Sequence, residues 1–162
     1  MSIMQGDFVE VKLTRGLVAI IDAEDWEMVS QHMWCASRGR NTNYAVTGHG
    51  RKQVRLHRFL LNPPDGMHVD HINGDGLCNR RANLRLCTSS ENKRNRRKQP
   101  GRSSEFKGVS KQQRERPKPW LAMIQVDKKR HARNFATEIE AALWYDEMAK
   151  ELHGEFAKLN FP

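Results

Sequence analysis

Short apolar runs alternate with polar turns through the first half of the chain, a pattern typical of small antiparallel sheets. The runs over 11–13 and 17–21 surround a glycine turn and predict a hairpin. Asp22 comes next and is a candidate cap for a short helix over 23–31. The chain is therefore expected to begin with a β-hairpin followed by a helical turn.

Further apolar runs predict strands over 33–37, 44–47 and 53–59, with polar turns between them. The segment 60–66 contains two prolines and a glycine, which cannot continue a strand ladder because proline lacks the backbone donor. These strands are therefore expected to form an antiparallel sheet that ends before residue 66.

The pattern then changes to strand, glycine-rich loop, strand and helix. The strands are expected over 69–72 and 84–87. Thr88 and Glu91 have the T-x-x-E spacing of a capping box, so a helix should begin at Ser89 and run to about Lys98.

The last part of the chain reads as a separate module after a linker over 99–104, Gln-Pro-Gly-Arg-Ser-Ser. A helix with an apolar stripe is predicted between Thr137, which begins another capping box, and Gly154. It would cover one face of a three-stranded sheet, because such a sheet needs a partner to bury that face. The strands are predicted over 106–111, 120–126 and 130–135.

Together these elements predict an α+β fold with two domains. The first, 1–98, combines an N-terminal antiparallel strand-rich segment with the strand-loop-strand-helix core at about 66–98. The second, 105–162, is the small three-stranded antiparallel sheet with its helix.

The distribution of charge along the chain indicates a binding partner. The 162 residues include 28 Lys and Arg against 19 Asp and Glu, a net charge of +9. Residues 51–100 carry 12 basic and 4 acidic groups, whereas 137–162 carry 2 and 6. A strongly positive side is typical of polyanion binding and makes nucleic acid the leading partner. The alternative is a basic protein that its charge merely keeps soluble.

The chain shows neither an apolar run long enough to span a membrane nor a secretory leader at its start, so we expect a cytoplasmic protein that is not secreted. Cys35, Cys78 and Cys87 are an odd number without a C-x-x-C pair. This argues against a disulfide framework and a zinc ribbon, and favours reduced thiols.

One group of polar residues has the spacing of a candidate catalytic site. Asp70 and His71 end a predicted strand, Asn83 lies twelve positions after His71, and Asn92 lies twenty-one positions after it on the capped helix. The string VDHINGDGLCNRRANLRLCTSSENKRNR resembles the HNH endonuclease motif, a ββα-metal nuclease site, in the variety whose last His is replaced by Asn. Taken alone, an Asp-His pair or an N-G-D-G turn has the simpler interpretation of an ordinary surface hairpin.

Phosphodiester cleavage needs an activated water and neutralisation of the charge that develops on the phosphate. A histidine with a pKa of about 6.5 suits a general base, so His71 is the candidate. Asp70 and Asn92 offer the hard oxygen ligands that Mg²⁺ prefers, with Mn²⁺ as a possible substitute. Asn95 is an alternative to Asn92.

The resemblance implies that Asn83 braces the loop and orients the His71 ring. It also implies that the strand ends near Asp70, since neighbouring strand residues otherwise point to opposite faces. Cys78 and Cys87 do not match the zinc-binding cysteines of some relatives, so no structural zinc is expected.

Basic residues around this motif are predicted to bind phosphates on both sides of the scissile bond. The alternative is a helix whose charged face is simply solvated. The predicted phosphate ligands are Arg58, Arg80, Arg81, Arg85, Lys93, Arg94 and Arg97.

Residues 106–162 resemble the ethylene-response-factor type of DNA-binding domain, through KGV, W-x-A-x-I, AA-x-x-YD and the terminal LNFP. The resemblance implies that the sheet enters the DNA major groove. Ser110, Met123, Gln125 and His131 stand where plant members commonly have Arg, Glu, Arg and Trp, so the base code does not carry over. The positions that match DNA contacts are Lys107, Ser110, Lys111, Arg114, Trp120, Gln125, Lys129 and His131.

The order of segments resembles homing endonucleases of phages and mobile elements. This implies a phage-encoded enzyme that cuts double-stranded DNA in a bacterial host, leaving 5′-phosphate and 3′-hydroxyl ends. One such site cuts one strand, so a monomer would nick and a DNA-bound dimer would be needed to cut both strands. The alternatives are a non-catalytic DNA-binding regulator with a decayed nuclease core, and a nuclease for RNA or structured DNA.

Overall fold

A computed structural model describes residues 3–48, 53–96, 98, 103–114 and 116–162. The chain forms two compact units, Met1–Asn92 and Lys93–Pro162. The first unit thus ends at Asn92, whereas the sequence predicts that the first domain ends at residue 98. Lys93 to Arg96 therefore belong to the second unit. Short antiparallel sheets and helices confirm the α+β class.

The first sheet joins β1 (Ile3–Gln5), β2 (Phe8–Lys12) and β3 (Val18–Asp22) in that order, all antiparallel. Alternate residues of β2 and β3 are buried, as expected for strands with one face on a core. Arg15 and Gly16 turn the chain between β2 and β3 with positive φ angles of 62° and 68°. The predicted hairpin is confirmed.

A 3-10 turn over Ala23–Asp25 leads into α1 (Trp26–Ser30), which confirms the short helix. Asp22 makes no side-chain cap, however. Its carboxylate instead accepts hydrogen bonds from Arg80 and Arg81, which lie far along the chain.

The second sheet contains β4 (Cys35–Arg38), β5 (Asn43–Thr47) and β6 (Val54–Arg55). The predicted strand over 53–59 is wrong beyond Arg55, because α2 (Leu56–Leu61) begins there.

The helical register of α2 explains the error. Leu56, His57 and Leu60 are its buried residues, and this i, i+1, i+4 spacing puts them on one helical face. Leu56 and Leu60 join the core of the first unit.

The next elements are β7 (His68–His71), β8 (Leu84–Cys87) and α3 (Ser89–Arg94). β7 and β8 pair antiparallel. The capping box at the start of α3 is confirmed, since Glu91 accepts from the backbone of Thr88 at 2.7 Å and donates its own amide to the Thr88 hydroxyl at 3.2 Å. α3 ends before the predicted Lys98.

The second unit contains β9 (Val109–Lys111), β10 (Trp120–Val126), β11 (Lys129–Phe135) and α4 (Glu138–His153). The sheet has the order β9-β10-β11 and α4 packs against it. The capping box at the start of α4 and the glycine at its end are both confirmed. No helix in the part of the chain that the structure describes is long and apolar enough to cross a membrane.

Gly108, just before β9, packs against α4, and a substitution there tests how tight this packing is. Its φ is +75°, and an added Cβ would overlap the buried ring of Tyr145. Gly66 has a similar φ of +81°, but a Cβ there would meet no atom within 4 Å. Gly108→Ala should therefore lower the free energy of unfolding by about 1–3 kcal/mol more than Gly66→Ala, measured by chemical denaturation. Equal losses would show that the Tyr145 contact is not tight.

Candidate active site

The hairpin of β7 and β8 places the Asp-His pair. Asp70 lies opposite Arg85 and His71 lies opposite Leu84, at the last position of β7. Neighbouring residues of a strand point to opposite faces, so the two side chains enter different surroundings. Both are buried, with exposed fractions of 8% for Asp70 and 6% for His71.

His71 lies among aromatic rings. The rings of His71 and His57 are nearly perpendicular, with 4.8 Å between their centroids, and the centroid of the Tyr44 ring lies 6.0 Å from that of His71. Burial lowers the pKa of His71, while Asn79, Asp70 and other partners partly oppose this shift. The ring is therefore favoured in its neutral form near pH 7, the form that can accept a proton.

Asn79, which was not among the predicted site residues, contacts this ring. Its Oδ1 lies 3.4 Å from His71 Nε2, and the asparagine is completely buried. Nothing in the sequence separates it from Asn73 of the same loop; only its burial does.

Asn83 contacts the loop rather than the ring. Its Oδ1 accepts from the Asn73 backbone at 3.0 Å, and its Nδ2 donates to Asn73 Oδ1 at 3.0 Å and to the Cys78 carbonyl at 2.7 Å. Its own carbonyl accepts from the backbone of Ile72. Asn83 thus joins the two ends of the loop, and the asparagine that contacts the His71 ring is Asn79.

Asp70 forms an ion pair with Arg85. The Asp70 Oδ2 accepts from Arg85 Nη2 at 2.9 Å and from Nε at 3.2 Å. Both side chains are close to buried, with 9% and 11% exposed. A buried carboxylate requires such a partner, because an unpaired charge inside a protein is costly.

Two more of the predicted phosphate ligands are also paired. Arg80 bridges Asp7 and Asp22, and Arg81 binds the buried Asp25 through two nitrogens, at 2.7 and 3.1 Å. Arg80, Arg81 and Arg85, which the sequence predicts as phosphate ligands, therefore already have carboxylate partners within the first unit. Phosphate binding by them would require these ion pairs to open or to be shared.

The remaining predicted phosphate ligands near the motif differ in their surroundings. Arg58 is exposed and donates to the Met67 carbonyl at 3.1 Å, and Lys93 is exposed. Arg94 is half-buried, while Arg97 lies outside the described residues.

The proposed metal ligands lie on β7 and α3. The carboxylate of Asp70 and the amide oxygen of Asn92 are hard donors that suit Mg²⁺. The Asp70 carboxylate is paired with Arg85 in this structure, so a divalent ion bound at Asp70 would have to displace that guanidinium or share the carboxylate with it. No cluster of three or more His, Cys, Asp or Glu side chains with metal-binding geometry occurs among the described residues. The alternative ligand, Asn95, is buried.

The C-terminal sheet divides the predicted DNA contacts between its two faces. Directly opposed residues of an antiparallel pair share a face. Gln125 lies opposite Arg130, on the exposed face of β10, and Ser110 lies opposite Leu121 on that same face.

The other face carries the residues that pack under α4. His131 lies opposite the buried Ile124, and Lys129 and Trp120 follow the same alternation. The Lys111 ammonium lies 5.6 Å above the Trp120 ring. Contact with DNA by these four residues would therefore require an approach at the edge of the sheet or at its turn.

Lys107 and Arg114 lie outside the strands. The Lys107 ammonium donates to the Arg94 carbonyl. Burial lowers the pKa of Lys107 to about 8. Lys107 therefore holds the backbone at the end of α3, whereas Arg114 is exposed in the loop before β10.

Burial of His57 should make the stability of the protein depend on pH. Burial, followed by the nearby charges of His71, Arg55 and Arg58, lowers the pKa of His57 to about 3. Because the unfolded chain takes up this proton near pH 6.5, stability should fall as the pH drops from 6.5 towards 3, by about 1.4 kcal/mol per pH unit. His57→Phe should show a shallower slope in urea denaturation between pH 6 and 4; an unchanged slope would contradict this assignment.

Comparisons with known proteins find a family and two relatives that this chain resembles. Residues 62–94 match a family of HNH endonucleases, a range that contains β7, β8 and α3. A protein described as an uncharacterized HNH endonuclease of Acanthamoeba polyphaga mimivirus is 32% identical over 152 residues, covering 90% of this chain and 76% of the relative. Protein 3.8 of Escherichia phage T7 is 32% identical over 110 residues, covering 67% of this chain and 88% of the relative.

No solved structure matches the chain. The mimivirus relative extends over both compact units, whereas the family match is confined to the segment around Asp70 and His71. From the family match and the extent of this relative, the chain belongs to the HNH endonuclease family.

Proposed function

We propose that this protein is a metal-dependent endonuclease that hydrolyses phosphodiester bonds in double-stranded DNA. The observation that carries the proposal is the buried His71 at the end of β7, with a lowered pKa and with Asp70 directly before it. HNH nucleases generally depend on a divalent metal, and the family match includes both residues.

His71 acts as the general base that takes a proton from the attacking water. Its lowered pKa keeps the ring ready to accept that proton at neutral pH. Asp70 and Asn92 would hold the divalent ion, Mg²⁺ or Mn²⁺, whose charge when bound would offset the negative charge that develops at the phosphate. Asn83 keeps the loop after His71 in place through its bonds to Asn73 and Cys78.

The second unit supplies DNA binding in this proposal. The exposed face of its sheet presents Ser110, Gln125 and Arg130, and the loop before β10 adds Arg114. The ethylene-response-factor resemblance supports this use of the sheet. The viral sources of both relatives support a homing enzyme encoded by a phage or mobile element.

Since one site of this kind cuts one strand, we propose nicking by a monomer. Cutting both strands requires a DNA-bound dimer or a second binding event.

The proposal is tested by labelling new DNA ends. Purified protein is incubated with viral and bacterial genomic DNA in Mg²⁺ or in EDTA, and a DNA polymerase then extends the 3′-hydroxyl ends with tagged nucleotides. We expect labelled ends at a defined sequence in Mg²⁺ and none in EDTA. Failure to label duplex DNA, together with cleavage of added RNA, would identify an RNA nuclease instead.

The ion pair between Arg85 and Asp70 favours one alternative, a DNA-binding regulator whose nuclease core is inactive, because the carboxylate is already neutralised. In the labelling experiment, tight and sequence-specific binding of duplex DNA without new ends in any divalent metal would support that alternative.

A further inference from the structure

The ring of Tyr44 lies beside the two buried histidines and has an arginine over its face. Its centroid is 6.0 Å from that of His71 and 5.7 Å from that of His57. The guanidinium carbon of Arg55 lies over the same ring, 4.5 Å from its centroid. Arg55 is thus a cation on the aromatic ring that adjoins the candidate general base.

The pairing of β5 with β6 accounts for the contact between Arg55 and Tyr44. Arg55 lies opposite Val46, which comes two residues after Tyr44 on β5. Residues two apart on a strand share a face, so Arg55 and Tyr44 are diagonal neighbours on one face of the sheet. A guanidinium over the face of an aromatic ring is a favourable contact. The strand register therefore brings the Arg55 side chain to the Tyr44 ring.

Two glycines leave room for the Tyr44 ring. A Cβ added to Gly39 would lie 2.6 Å from the ring, and one added to Gly76 would lie 2.7 Å from it. Gly39 belongs to the turn between β4 and β5, whereas Gly76 belongs to the loop that follows β7. The Gly76 amide also donates to the Thr42 hydroxyl at 3.0 Å. The ring is therefore fixed between two backbone segments, one of which is the loop of the candidate site.

The positive charge of Arg55 differs in its surroundings from that of the arginines paired with Asp7, Asp22, Asp25 and Asp70. Arg55 is exposed, and no carboxylate of the residues described in the structure lies within ion-pair distance of it. A carboxylate would offset the charge of a guanidinium, whereas an aromatic ring does not. The charge of Arg55 is therefore available to an anion.

Electrostatics also indicate that Arg55 lies close to both histidines. Burial lowers the pKa of His71, and the charge of Arg55 adds to this lowering. The pKa of His57 is lowered first by burial, then by His71 and then by Arg55. An anion bound at Arg55 would thus lie near the group proposed to accept the proton from water.

We propose that Arg55 binds the scissile phosphate beside His71, and that Tyr44 positions the guanidinium for this contact. A guanidinium can donate two parallel hydrogen bonds to phosphate oxygens, and its charge stabilises the negative charge that develops on them. Arg55 thus takes the role that the sequence predicts for arginines which the structure pairs with carboxylates. This inference rests on the proposed function and deepens it by naming a residue that contacts the reacting phosphate.

Contact between Arg55 and a DNA phosphate can be measured without cleavage. The affinity of the full-length protein for a fluorescent DNA duplex is measured in EDTA over a series of NaCl concentrations. Each phosphate contact contributes about 0.9 to the slope of log K against log salt, so Arg55→Gln should reduce this slope by about that amount. Arg15→Gln removes the same charge from the exposed turn between β2 and β3 and should keep the wild-type slope. If Arg55→Gln has the slope of the wild type or of Arg15→Gln, the inference is wrong.

A duplex with one methylphosphonate identifies which phosphate Arg55 contacts, because this group is neutral. At the position given by the labelled ends, it should weaken binding by the wild type about 10-fold in EDTA, the loss expected for one charged hydrogen bond. The affinity of Arg55→Gln should not change, because its contact with that phosphate is already absent. Equal weakening in both proteins would place Arg55 at another phosphate and overturn the inference.

The cleavage rate provides an independent measure of the same contact. Arg55→Gln should lower the single-turnover rate in Mg²⁺ by about 10²- to 10³-fold at saturating protein, as expected when a group that stabilises transition-state charge is removed. Arg55→Lys keeps the charge but not the paired donors, so its rate should lie between those of Arg55→Gln and the wild type.

The role of Tyr44 is tested by combining variants. Tyr44→Leu should lower the cleavage rate of the wild type but should have little further effect in Arg55→Gln, because the two residues act through one contact. An equal loss in both backgrounds would show that Tyr44 does not act through Arg55.

These results distinguish the inference from the proposed function. If the protein does not cut DNA but Arg55→Gln has a reduced salt slope, the proposed function is wrong and the phosphate contact remains. If Arg55→Gln cuts DNA at the wild-type rate, the proposed function remains and the inference is wrong.

Discussion

His71→Ala should lower the single-turnover rate of DNA cleavage by about 10²- to 10⁴-fold, which is the usual contribution of a positioned general base. The neutral ring at the end of β7 is the group that takes the proton from water in our account. DNA affinity, measured by fluorescence anisotropy in EDTA, should be unchanged, because His71 is buried and the proposed DNA-binding face lies in the second unit.

His68 provides the matched control. It is the first residue of β7, whereas His71 is the last, and His68 is exposed. His68→Ala should retain the wild-type cleavage rate. Equal losses in both variants would indicate damage to the hairpin rather than removal of a base.

Arg85→Gln should lower the free energy of unfolding in EDTA by about 3–5 kcal/mol. This is the loss expected when one member of a buried ion pair is removed and the other is left without its partner. The Arg85 and Asp70 side chains are only 11% and 9% exposed, so solvent can compensate little. Chemical denaturation followed by tryptophan fluorescence measures the effect.

Two further variants test the cause of that loss. The double variant Asp70→Asn with Arg85→Gln should recover part of the stability, because no unpaired carboxylate remains. Arg58→Gln, at an exposed arginine, should change stability by no more than about 0.5 kcal/mol. If Arg85→Gln is as mild as Arg58→Gln, the ion pair does not stabilise the fold in the way we describe.

The same variant reports on the metal site. If Asp70 holds the divalent ion, added Mg²⁺ should stabilise Arg85→Gln more than the wild type, since the ion no longer competes with the guanidinium. If Mg²⁺ stabilises both proteins equally, the ion does not bind at Asp70.

Local signals in the sequence were sufficient for much of the fold. The capping boxes that begin at Thr88 and Thr137 depend on residues three positions apart, and both form. The hairpin turn between β2 and β3 depends on Gly16 in the same way. Such features are predictable because all their partners lie within one turn of the chain.

α2 shows where local signals fail. Leu56 to Leu61 follows two true strand residues and contains no cap or breaker, so short apolar runs of this kind fit a strand or a helix equally well. The burial of Leu56, His57 and Leu60 decides the outcome, and that depends on the rest of the core.

The sequence predicts a chemistry for this site, which stays a prediction, but it does not predict the contacts that its side chains make. The pairings of Arg80, Arg81 and Arg85 join residues 15 to 73 positions apart, which no local pattern encodes. Likewise, Asn79 reaches His71 only because the loop attaches to β3. Contacts between residues far apart in the chain pair these three arginines with carboxylates, of which Asp25 and Asp70 are buried.

Metal-dependent cleavage by His71 is tested by following the conversion of supercoiled plasmid over time on agarose gels, with a plasmid that carries the sequence identified by end labelling. We expect wild-type protein in Mg²⁺ to produce nicked circles before any linear DNA, and we expect EDTA to stop the reaction. His71→Ala should produce neither form at a rate near that of the wild type. Cleavage that persists in EDTA, or at the wild-type rate in His71→Ala, would show that a metal ion or His71 is not required and would rule out the proposed mechanism.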